Sequence, residues 1–466
     1  MILYYCGRKE TMKIILDYSK KYQRFEGIGA SGAWWAQIVG GWNNTDAESG
    51  LAVRDRISQL LYSKTEGIGM RVYRYNIGGG SADSGRGDYS DPARRASSFD
   101  DGRGGLDFSK DANAVYMMRR AAYDGADEIV LFVNSPIESL TKNGKAHLDK
   151  NQIFRTNLSP KNYCAFADYI LDVTEHFVGE GLPIKYLSPV NEPMWIWNGG
   201  QEGCHYSPRQ AGKVMLCVAR KLMQRKNLEG VRLSGVENGD IRWFNKSYTR
   251  HLLKYPEVRK TIDSVDIHSY CLTQKFLPAF ANDRLAFVRR FRKWMDKKYP
   301  GIPVKMSEWC HMCGGKNTGM DSALEIAKVM CEDIGILNVT SWQHWIACSL
   351  YDYCDGLIYL DTENKSFELT KRYFVTGNFS KYIPYGATRF EVQTDDSDVT
   401  ALGFEKDGRT YLILVNFSAE EKKTSFESDV LVSVTDKDND LNEHRFGAKE
   451  EIKISPESVT TVVMED

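Results

Sequence analysis

Several features that would assign a chain to a broad class are missing from this sequence of 466 residues. It has no run of about 18 uncharged apolar residues, so no membrane-spanning helix is predicted. Neither sign of charge is in excess, since 61 Lys and Arg oppose 62 Asp and Glu, and binding to nucleic acid or an anionic membrane is therefore not favoured. The N-terminus lacks an apolar stretch long enough for a signal peptide, and we expect a cytoplasmic protein, with secretion by another route left open.

The ten cysteines do not form a disulfide framework. They are spread through apolar stretches, as is typical of reduced thiols in a cytosolic protein. Cys310 and Cys313 have C-x-x-C spacing, but no second pair of Cys or His follows at a matching distance. His268 and His344 also lack a third ligand at a recognisable spacing. We therefore predict no metal and no cofactor, and keep a C-x-x-C redox or zinc protein as a minor alternative.

The sequence does contain a regular alternation of short apolar runs and amphipathic stretches between Phe25 and Trp345. This pattern is typical of parallel β/α units, and eight strands are enough to close a barrel. The predicted strands are Phe25–Ala30, Arg71–Asn76, Glu128–Asn134, Ile184–Val190, Val231–Gly235, Val265–Ser269, Val304–Glu308 and Val339–His344. The predicted helices are Ala47–Ser63, Lys110–Asp124, Tyr163–Phe177, Pro208–Arg225, Arg284–Lys298 and Asp321–Leu337. We predict a (β/α)8 TIM barrel.

After Ser380 the alternation of helix and strand ends, and the pattern becomes that of antiparallel strands. The segment Lys406-Asp407-Gly408-Arg409 lies between two apolar runs and predicts a hairpin. Met12, Ile14, Leu16 and Tyr18 alternate as a strand does. We therefore expect an attached β-sandwich built from both termini, with residues 1–24 contributing a strand, residues 25–380 forming the barrel and residues 381–466 forming the sandwich.

One connection in the barrel is unusually long and rich in glycine. It runs from Gly78 to Gly105 and shows no hydrophobic periodicity. Long connections of this kind are usually functional. We interpret it as a wall of the substrate site.

Two carboxylates follow predicted barrel strands. Strand four ends in Asn191-Glu192-Pro193 and strand seven in Ser307-Glu308-Trp309. Active sites of such barrels lie at the C-terminal ends of the strands, and cleavage of a glycosidic bond requires two carboxyl groups that face each other. Indoles, whose flat faces suit sugar rings, also follow strand ends. They are Trp34, Trp35, Trp195, Trp197, Trp342 and Trp345.

The motifs around these residues resemble glycoside hydrolase family 30 of clan A. The similar segments are 25–35 (FEGIGASGAWW), 74–80 (RYNIGGG), 191–193 (NEP), 307–309 (SEW) and 381–389 (KYIPYGATR). The resemblance implies a TIM barrel with a side β-sandwich and a retaining β-glycosidase activity. It implies that Glu192 is the acid/base and Glu308 the nucleophile.

The same resemblance suggests how other residues act. Arg74 matches an arginine near the nucleophile, Tyr270 is placed to donate a hydrogen bond, and Asn191 would contact the sugar 2-OH. Trp345 matches an aromatic platform. The full set of predicted substrate-binding residues is Arg74, Trp35, Asn134, Asn191, His268, Tyr270, Trp342 and Trp345.

Residues 29–36 and the segment Asn134-Ser135-Pro136 look most like the endo-β-1,6-galactanase members of the family. We therefore expect the substrate to be a β-linked galacto- or gluco-configured oligosaccharide. An intracellular exo-acting β-glucosidase or β-xylosidase is the main alternative. A catalytically inactive carbohydrate-binding protein is a minor one.

Overall fold

The computed structural model describes residues 11–242, 244–270 and 283–464. Its strands are β1 Ile14–Phe25, β2 Gly27–Ser31, β3 Val72–Asn76, β4 Glu128–Phe132, β5 Ile184–Ser188, β6 Arg232–Ser234, β7 Ile262–His268, β8 Val304–Trp309, β9 Ser341–His344, β10 Cys348–Ser349, β11 Ile358–Asp361, β12 Ser366–Leu369, β13 Ala387–Thr394, β14 Val399–Lys406, β15 Arg409–Asn416, β16 Lys422–Thr424, β17 Val430–Thr435, β18 Asp440–Phe446, β19 Ile452–Ile454 and β20 Ser458–Met464. The α-helices are α1 Trp35–Val39, α2 Val53–Tyr62, α3 Ser81–Ser84, α4 Ala112–Asp124, α5 Tyr163–Gly179, α6 Pro208–Leu222, α7 Asn245–Leu253, α8 Pro256–Thr261, α9 Arg284–Lys298, α10 Met320–Glu332 and α11 Lys371–Ser380, and a π-helical turn at Asp333–Leu337 extends α10.

Strands β2 to β9 form a closed parallel barrel, which confirms the predicted fold. The barrel closes where β2 pairs on one side with β3 and on the other with β9. Each predicted strand overlaps an observed one, although β6 is shorter than predicted and β7 begins three residues earlier. Local propensity places strands well, but their ends depend on which backbone groups find partners in the neighbouring strand.

The side domain is built from both ends of the chain, as predicted. A seven-stranded antiparallel sheet has the order β1-β13-β14-β15-β20-β17-β18, and β16 and β19 form a second small sheet. Residues such as Leu412 and Ile452 are buried between them. Residues on the other face of the large sheet, including Phe404 and Ile413, join the core of the barrel. This packing attaches the sandwich to the barrel through apolar contacts.

The predicted hairpin is present and has a two-residue turn. Lys406 pairs with Arg409, and Asp407 and Gly408 both have positive φ, at 52° and 84°. Positive φ at both central positions is typical of the type I′ turn, whose twist matches that of the flanking strands.

The first predicted helix begins later than expected. Helix α2 begins at Val53 rather than Ala47, because the Asp46 carboxylate accepts a hydrogen bond from the backbone N–H of Ser49 and forms a turn there. Within the ranges that the structure describes, no helix combines the length and apolar character needed to cross a bilayer.

Candidate active site

A cavity of about 240 Å³ opens at the C-terminal ends of the barrel strands. Glu192 and Glu308 both line it, so the structure brings the two predicted carboxylates together. Its lining residues are Trp34, Asn134, Asn191, Glu192, Trp195, Trp197, Gln201, Gly239, Tyr270, Glu308, Met312 and Trp345.

Glu192 follows β5 and has a backbone conformation that residues other than glycine rarely adopt. Its φ is 42°, in the left-handed region, and its backbone N–H donates a 2.7 Å hydrogen bond to the carbonyl of Glu237. Backbone strain of this kind is often found at functional sites. Gly239 allows the carboxylate to sit here, because a Cβ at that position would lie 2.7 Å from Oε1 of Glu192 and closer still to Nε1 of Trp195.

Glu308 is near the end of β8, and each of its carboxylate oxygens has a donor. Nη1 of Arg74 donates to Oε1 at 2.8 Å, and the Tyr270 hydroxyl donates to Oε2 at 2.8 Å. Arg74 is fully buried and does not line the cavity. In this conformation it acts on Glu308 rather than on a sugar, whereas Tyr270 contacts Glu308 and also lines the cavity.

Glu237 is a third carboxylate at the site, and it was not among the residues predicted from the sequence. It follows β6, is fully buried, and accepts a 2.6 Å hydrogen bond from Nη2 of Arg74. Its position just beyond a strand end was the available signal, but the surrounding residues match no motif. Its backbone extends the pairing of β5 and β6 and so holds Glu192 in place.

His268 connects the three carboxylates. Its Nδ1 lies 2.9 Å from Oε1 of Glu192 and 3.4 Å from Oε2 of Glu308, and its Nε2 lies 3.1 Å from Oε2 of Glu237. The imidazole is fully buried beneath the cavity. The structure therefore places this residue behind the carboxylates, rather than against the substrate as predicted.

The pKa values at the site reflect burial opposed by close charges. Burial lowers the pKa of His268, but Glu308, Glu192 and Glu237 outweigh it and raise the pKa to about 10. Burial raises the pKa of Glu237, but Arg74 and His268 lower it to about 2. Burial also raises the pKa of Glu308, and His268 and Arg74 offset only part of this effect. His268 is thus an imidazolium at neutral pH, and two cations face three carboxyl groups.

Among the described residues, four indoles line the cavity, and two of the predicted ones are not among them. Trp345 lines it as expected, together with Trp34, Trp195 and Trp197. Trp35 and Trp342 are fully buried and do not line the cavity, so the structure does not bring them to the predicted site.

The direction of each side chain explains why these two indoles lie outside the cavity. Trp34 has a φ of 68° and turns into the cavity, whereas Trp35 begins α1 and its indole donates to the carbonyl of Ser31 at 2.8 Å. Trp342 lies within β9, and its indole donates to the carboxylate of Asp333 in the helical layer. Side chains alternate between the two faces of a strand, so a residue near a strand end does not necessarily face the mouth of the barrel.

Two asparagines line the cavity side by side. Nδ2 of Asn191 donates to Oδ1 of Asn134 at 2.9 Å. Oδ1 of Asn191 is buried and has no hydrogen-bond partner among the described residues. A buried acceptor without a partner is costly, so a donor from a ligand would satisfy it.

The glycine-rich connection does not form a wall of the cavity, contrary to the prediction. None of the residues between Gly78 and Gly105 line it. The guanidinium of Arg94 instead lies 4.7 Å from the ring centroid of Trp34, and Asp91 accepts a 2.7 Å hydrogen bond from the Tyr351 hydroxyl. The connection supports an aromatic wall from behind.

Two groups of side chains in the described ranges have the donor types and spacing of metal sites. One is Glu192, His268 and Glu308, whose donor atoms lie within 4.8 Å of one another. The ring nitrogens of His268 contact Glu192 and Glu237, so this group belongs to the charge cluster already described. The other is His311, Cys313 and Cys354, within the same distance of one another.

Comparisons with known proteins identify the family of this chain and agree with its fold. The sequence profile of O-glycosyl hydrolase family 30 matches residues 11–359. A Hypocrea rufa protein named endo-β-1,6-galactanase is 25% identical over 428 residues, which cover 86% of this chain and 80% of that protein. A conserved exported protein from Bacteroides fragilis has a similar structure, with a TM-score of 0.84 and 20% identity over 97% of this chain and 100% of that one. An endo-β-1,6-glucanase structure has a TM-score of 0.71 and 16% identity, covering 97% of this chain and 94% of that one.

Proposed function

The chain belongs to O-glycosyl hydrolase family 30, and from this premise we propose that it hydrolyses β-glycosides with retention, using Glu308 as nucleophile and Glu192 as acid/base. The observation that carries the proposal is the spacing of the two carboxylates. An oxygen of Glu192 and one of Glu308 lie within 4.8 Å of each other. Retaining enzymes need about 5–5.5 Å between the carboxyl groups, whereas inverting enzymes need about 6.5–9.5 Å to admit a water molecule.

The reaction would proceed in two displacements at the anomeric carbon. An oxygen of Glu308 attacks this carbon while the bond to the leaving oxygen breaks, and that oxygen takes the proton of Glu192. A water molecule then gives a proton to Glu192 and attacks the same carbon, which releases Glu308 from the ester. Two inversions give net retention, and Glu192 ends with the proton that it had at the start.

The contacts favour this division of roles. Glu308 and Glu237 each contact Arg74, whereas the only cation that contacts Glu192 within the described chain is His268. Arg74 and Tyr270 both donate to Glu308, so they stabilise the negative charge that this residue needs as the nucleophile.

The substrate we propose is a β-1,6-linked galacto-configured oligosaccharide. The relative at 25% identity is named for action on such a linkage. Oδ1 of Asn191 is suited to accept a hydrogen bond from a sugar hydroxyl next to the reacting carbon, a bond that strengthens in the transition state. The indoles of Trp34, Trp195, Trp197 and Trp345 offer flat apolar surfaces for sugar rings.

One observation favours a second candidate, an intracellular exo-acting β-glycosidase on small glycosides. The cavity of about 240 Å³ lies below the range of about 300–1,000 Å³ typical of pockets for drug-sized ligands. A cavity of this size suits one sugar ring better than a bound stretch of polymer.

Product analysis distinguishes these substrates. The purified enzyme would be incubated with β-1,6-galactan, its oligosaccharides, and aryl β-galactoside, glucoside, xyloside, fucoside and glucuronide. Short oligosaccharides released from polymer, with the aryl monosides intact, support the galactanase proposal. Cleavage of one aryl monoside with the polymer untouched supports the exo-glycosidase and contradicts the galactanase.

Azide rescue tests the two carboxylate roles. Glu308→Ala should lose nearly all hydrolysis of an activated aryl glycoside, and azide should restore turnover with an inverted α-glycosyl azide as product. Glu192→Ala with azide should give the β-glycosyl azide instead, because the covalent intermediate still forms. Exchange of the two stereochemical outcomes would contradict the assignment.

A further inference from the structure

The group His311, Cys313 and Cys354 lies beside the cavity and takes no part in the proposed reaction. After β8, residues 310–315 run alongside residues 352–354. The backbone N–H of Cys354 donates to the carbonyl of Cys313 at 3.0 Å, and that of Gly315 donates to the carbonyl of Asp352 at 3.1 Å. These backbone bonds hold the two cysteines next to each other although 40 residues separate them along the chain.

The spacing of the side chains is that of a metal site. A ring nitrogen of His311 and the Sγ atoms of Cys313 and Cys354 all lie within 4.8 Å of one another. Tetrahedral zinc, with its usual bond lengths, needs about 3.8 Å between two sulfur ligands and about 3.5 Å between sulfur and nitrogen. Small side-chain rotations would bring the three atoms to those distances.

The histidine provides an independent observation. Nδ1 of His311 is buried and has no hydrogen-bond partner within the part of the chain that the structure describes. Buried polar atoms are nearly always paired, and an orphaned one requires an explanation such as an ion. Cys354 is 2% exposed, while His311 and Cys313 are half-buried, so the group is protected on one side and reachable from the other.

We propose that His311, Cys313 and Cys354 bind a thiophilic divalent cation such as Zn²⁺, with water in the fourth position. Two thiolates and one imidazole are donors that such ions prefer, and three protein ligands with an open position form a known class of zinc site. On binding, each thiol releases its proton to solvent and the cation takes the freed electron pairs, without any change of oxidation state.

This site differs from the C-x-x-C pair noted in the sequence. Cys310 turns away from the group, and its thiol contacts Sδ of Met312 at 3.6 Å. The third ligand comes instead from Cys354, beyond β10. In the sequence, Met312 lies between the ligands His311 and Cys313, and it also lines the catalytic cavity. A bound cation would therefore anchor one edge of that cavity.

Cobalt substitution tests the proposal on the full chain. Reduced protein, kept in a phosphine reductant without air, would be titrated with Co²⁺. We expect one equivalent to produce an intense thiolate-to-cobalt charge-transfer band and the visible bands of a tetrahedral ion, and Zn²⁺ to remove both. Cys313→Ser should weaken binding by more than about tenfold, and His311→Ala should do the same.

A second cysteine pair supplies the matched control. The Sγ atoms of Cys164 on α5 and Cys217 on α6 lie 3.6 Å apart. Among the described residues, no third metal-ligating side chain joins this pair. The double variant Cys164→Ser/Cys217→Ser should keep the full cobalt spectrum. Absence of the charge-transfer band in the wild type, or its retention in correctly folded Cys313→Ser, would overturn the proposal. Because Cys313 is only half-buried, circular dichroism should show native folding of that variant.

Discussion

The barrel carries a buried group of charges at each end, and the two groups differ in whether they border the cavity. At the C-terminal end, Arg74 and His268 face Glu192, Glu237 and Glu308. At the N-terminal end, Nζ of Lys305 lies 2.8 Å from Glu26, 3.3 Å from Asp263 and 3.3 Å from the ring centroid of Tyr186. Lys305 and Glu308 belong to the same strand, β8, and are only three residues apart.

The charges of the lower group form ion pairs with one another and do not border the cavity. Burial lowers the pKa of Lys305, but Glu26 and Asp263 outweigh it and raise the pKa above its ordinary value. Nearby, Glu128 accepts a 2.5 Å hydrogen bond from the hydroxyl of Tyr385, which connects the barrel base to the side domain. The upper group instead opens into the cavity. The N-terminal end of the barrel therefore serves stability and the C-terminal end serves the reaction, as expected for this type of barrel.

Changing one residue in each group should separate these two functions most strongly. We expect Glu308→Gln to lower kcat by at least about 10⁴-fold while its melting temperature stays near that of the wild type, because only the nucleophile is lost. Lys305→Met should lower the free energy of unfolding by about 3 kcal/mol, since it leaves carboxylates without their cation, and the folded fraction should keep its kcat. Steady-state kinetics of both variants measures kcat, and denaturant titration measures their free energy of unfolding. Equal losses of stability would remove the distinction.

Gly239→Ala should damage the upper group through geometry alone. The added Cβ would meet the Glu192 carboxylate and the Trp195 indole, which must move. A displacement of about 1 Å can cost about 100-fold in rate, and we expect a loss of that size in kcat/KM. A matched control is Gly230→Ala, where a Cβ meets nothing within 4 Å. If Gly239→Ala hydrolyses substrate at the wild-type rate, close packing around Glu192 is not required.

The smallest predicted effect is a shift of the pH profile, with opposite signs for two variants. The nucleophile must be ionised, so the acid limb of kcat/KM follows the pKa of Glu308. Glu237→Gln removes a negative charge that raises this pKa, and the acid limb should move to lower pH. His268→Gln removes a positive charge that lowers it, and the limb should move to higher pH. Shifts in the same direction for both variants would show that Glu308 does not control this limb.

The order of elements could be predicted from the sequence because it depends on local patterns. Eight apolar runs separated by amphipathic helices specify a barrel, and the turn at Asp407-Gly408 specifies a hairpin, since the required φ values suit those residues. Glu192 and Glu308 could be picked out because each lies near the C-terminal end of a predicted strand, and these ends face the mouth of the barrel. The contribution of the N-terminal strand β1 to the side domain also followed from its simple alternation.

Only the tertiary structure decided which neighbours these residues have. Trp34 rather than Trp35 enters the cavity because of one left-handed backbone angle, and Trp342 is buried because strand alternation turns it towards the helices. Glu237 and the pairing of Cys313 with Cys354 depend on contacts between segments distant in sequence. Sequence by itself determined which elements form and in what order, because propensity and periodicity act over a few residues. Side-chain direction and charge partners were left to the tertiary structure, because they depend on how the closed barrel brings its strand ends together.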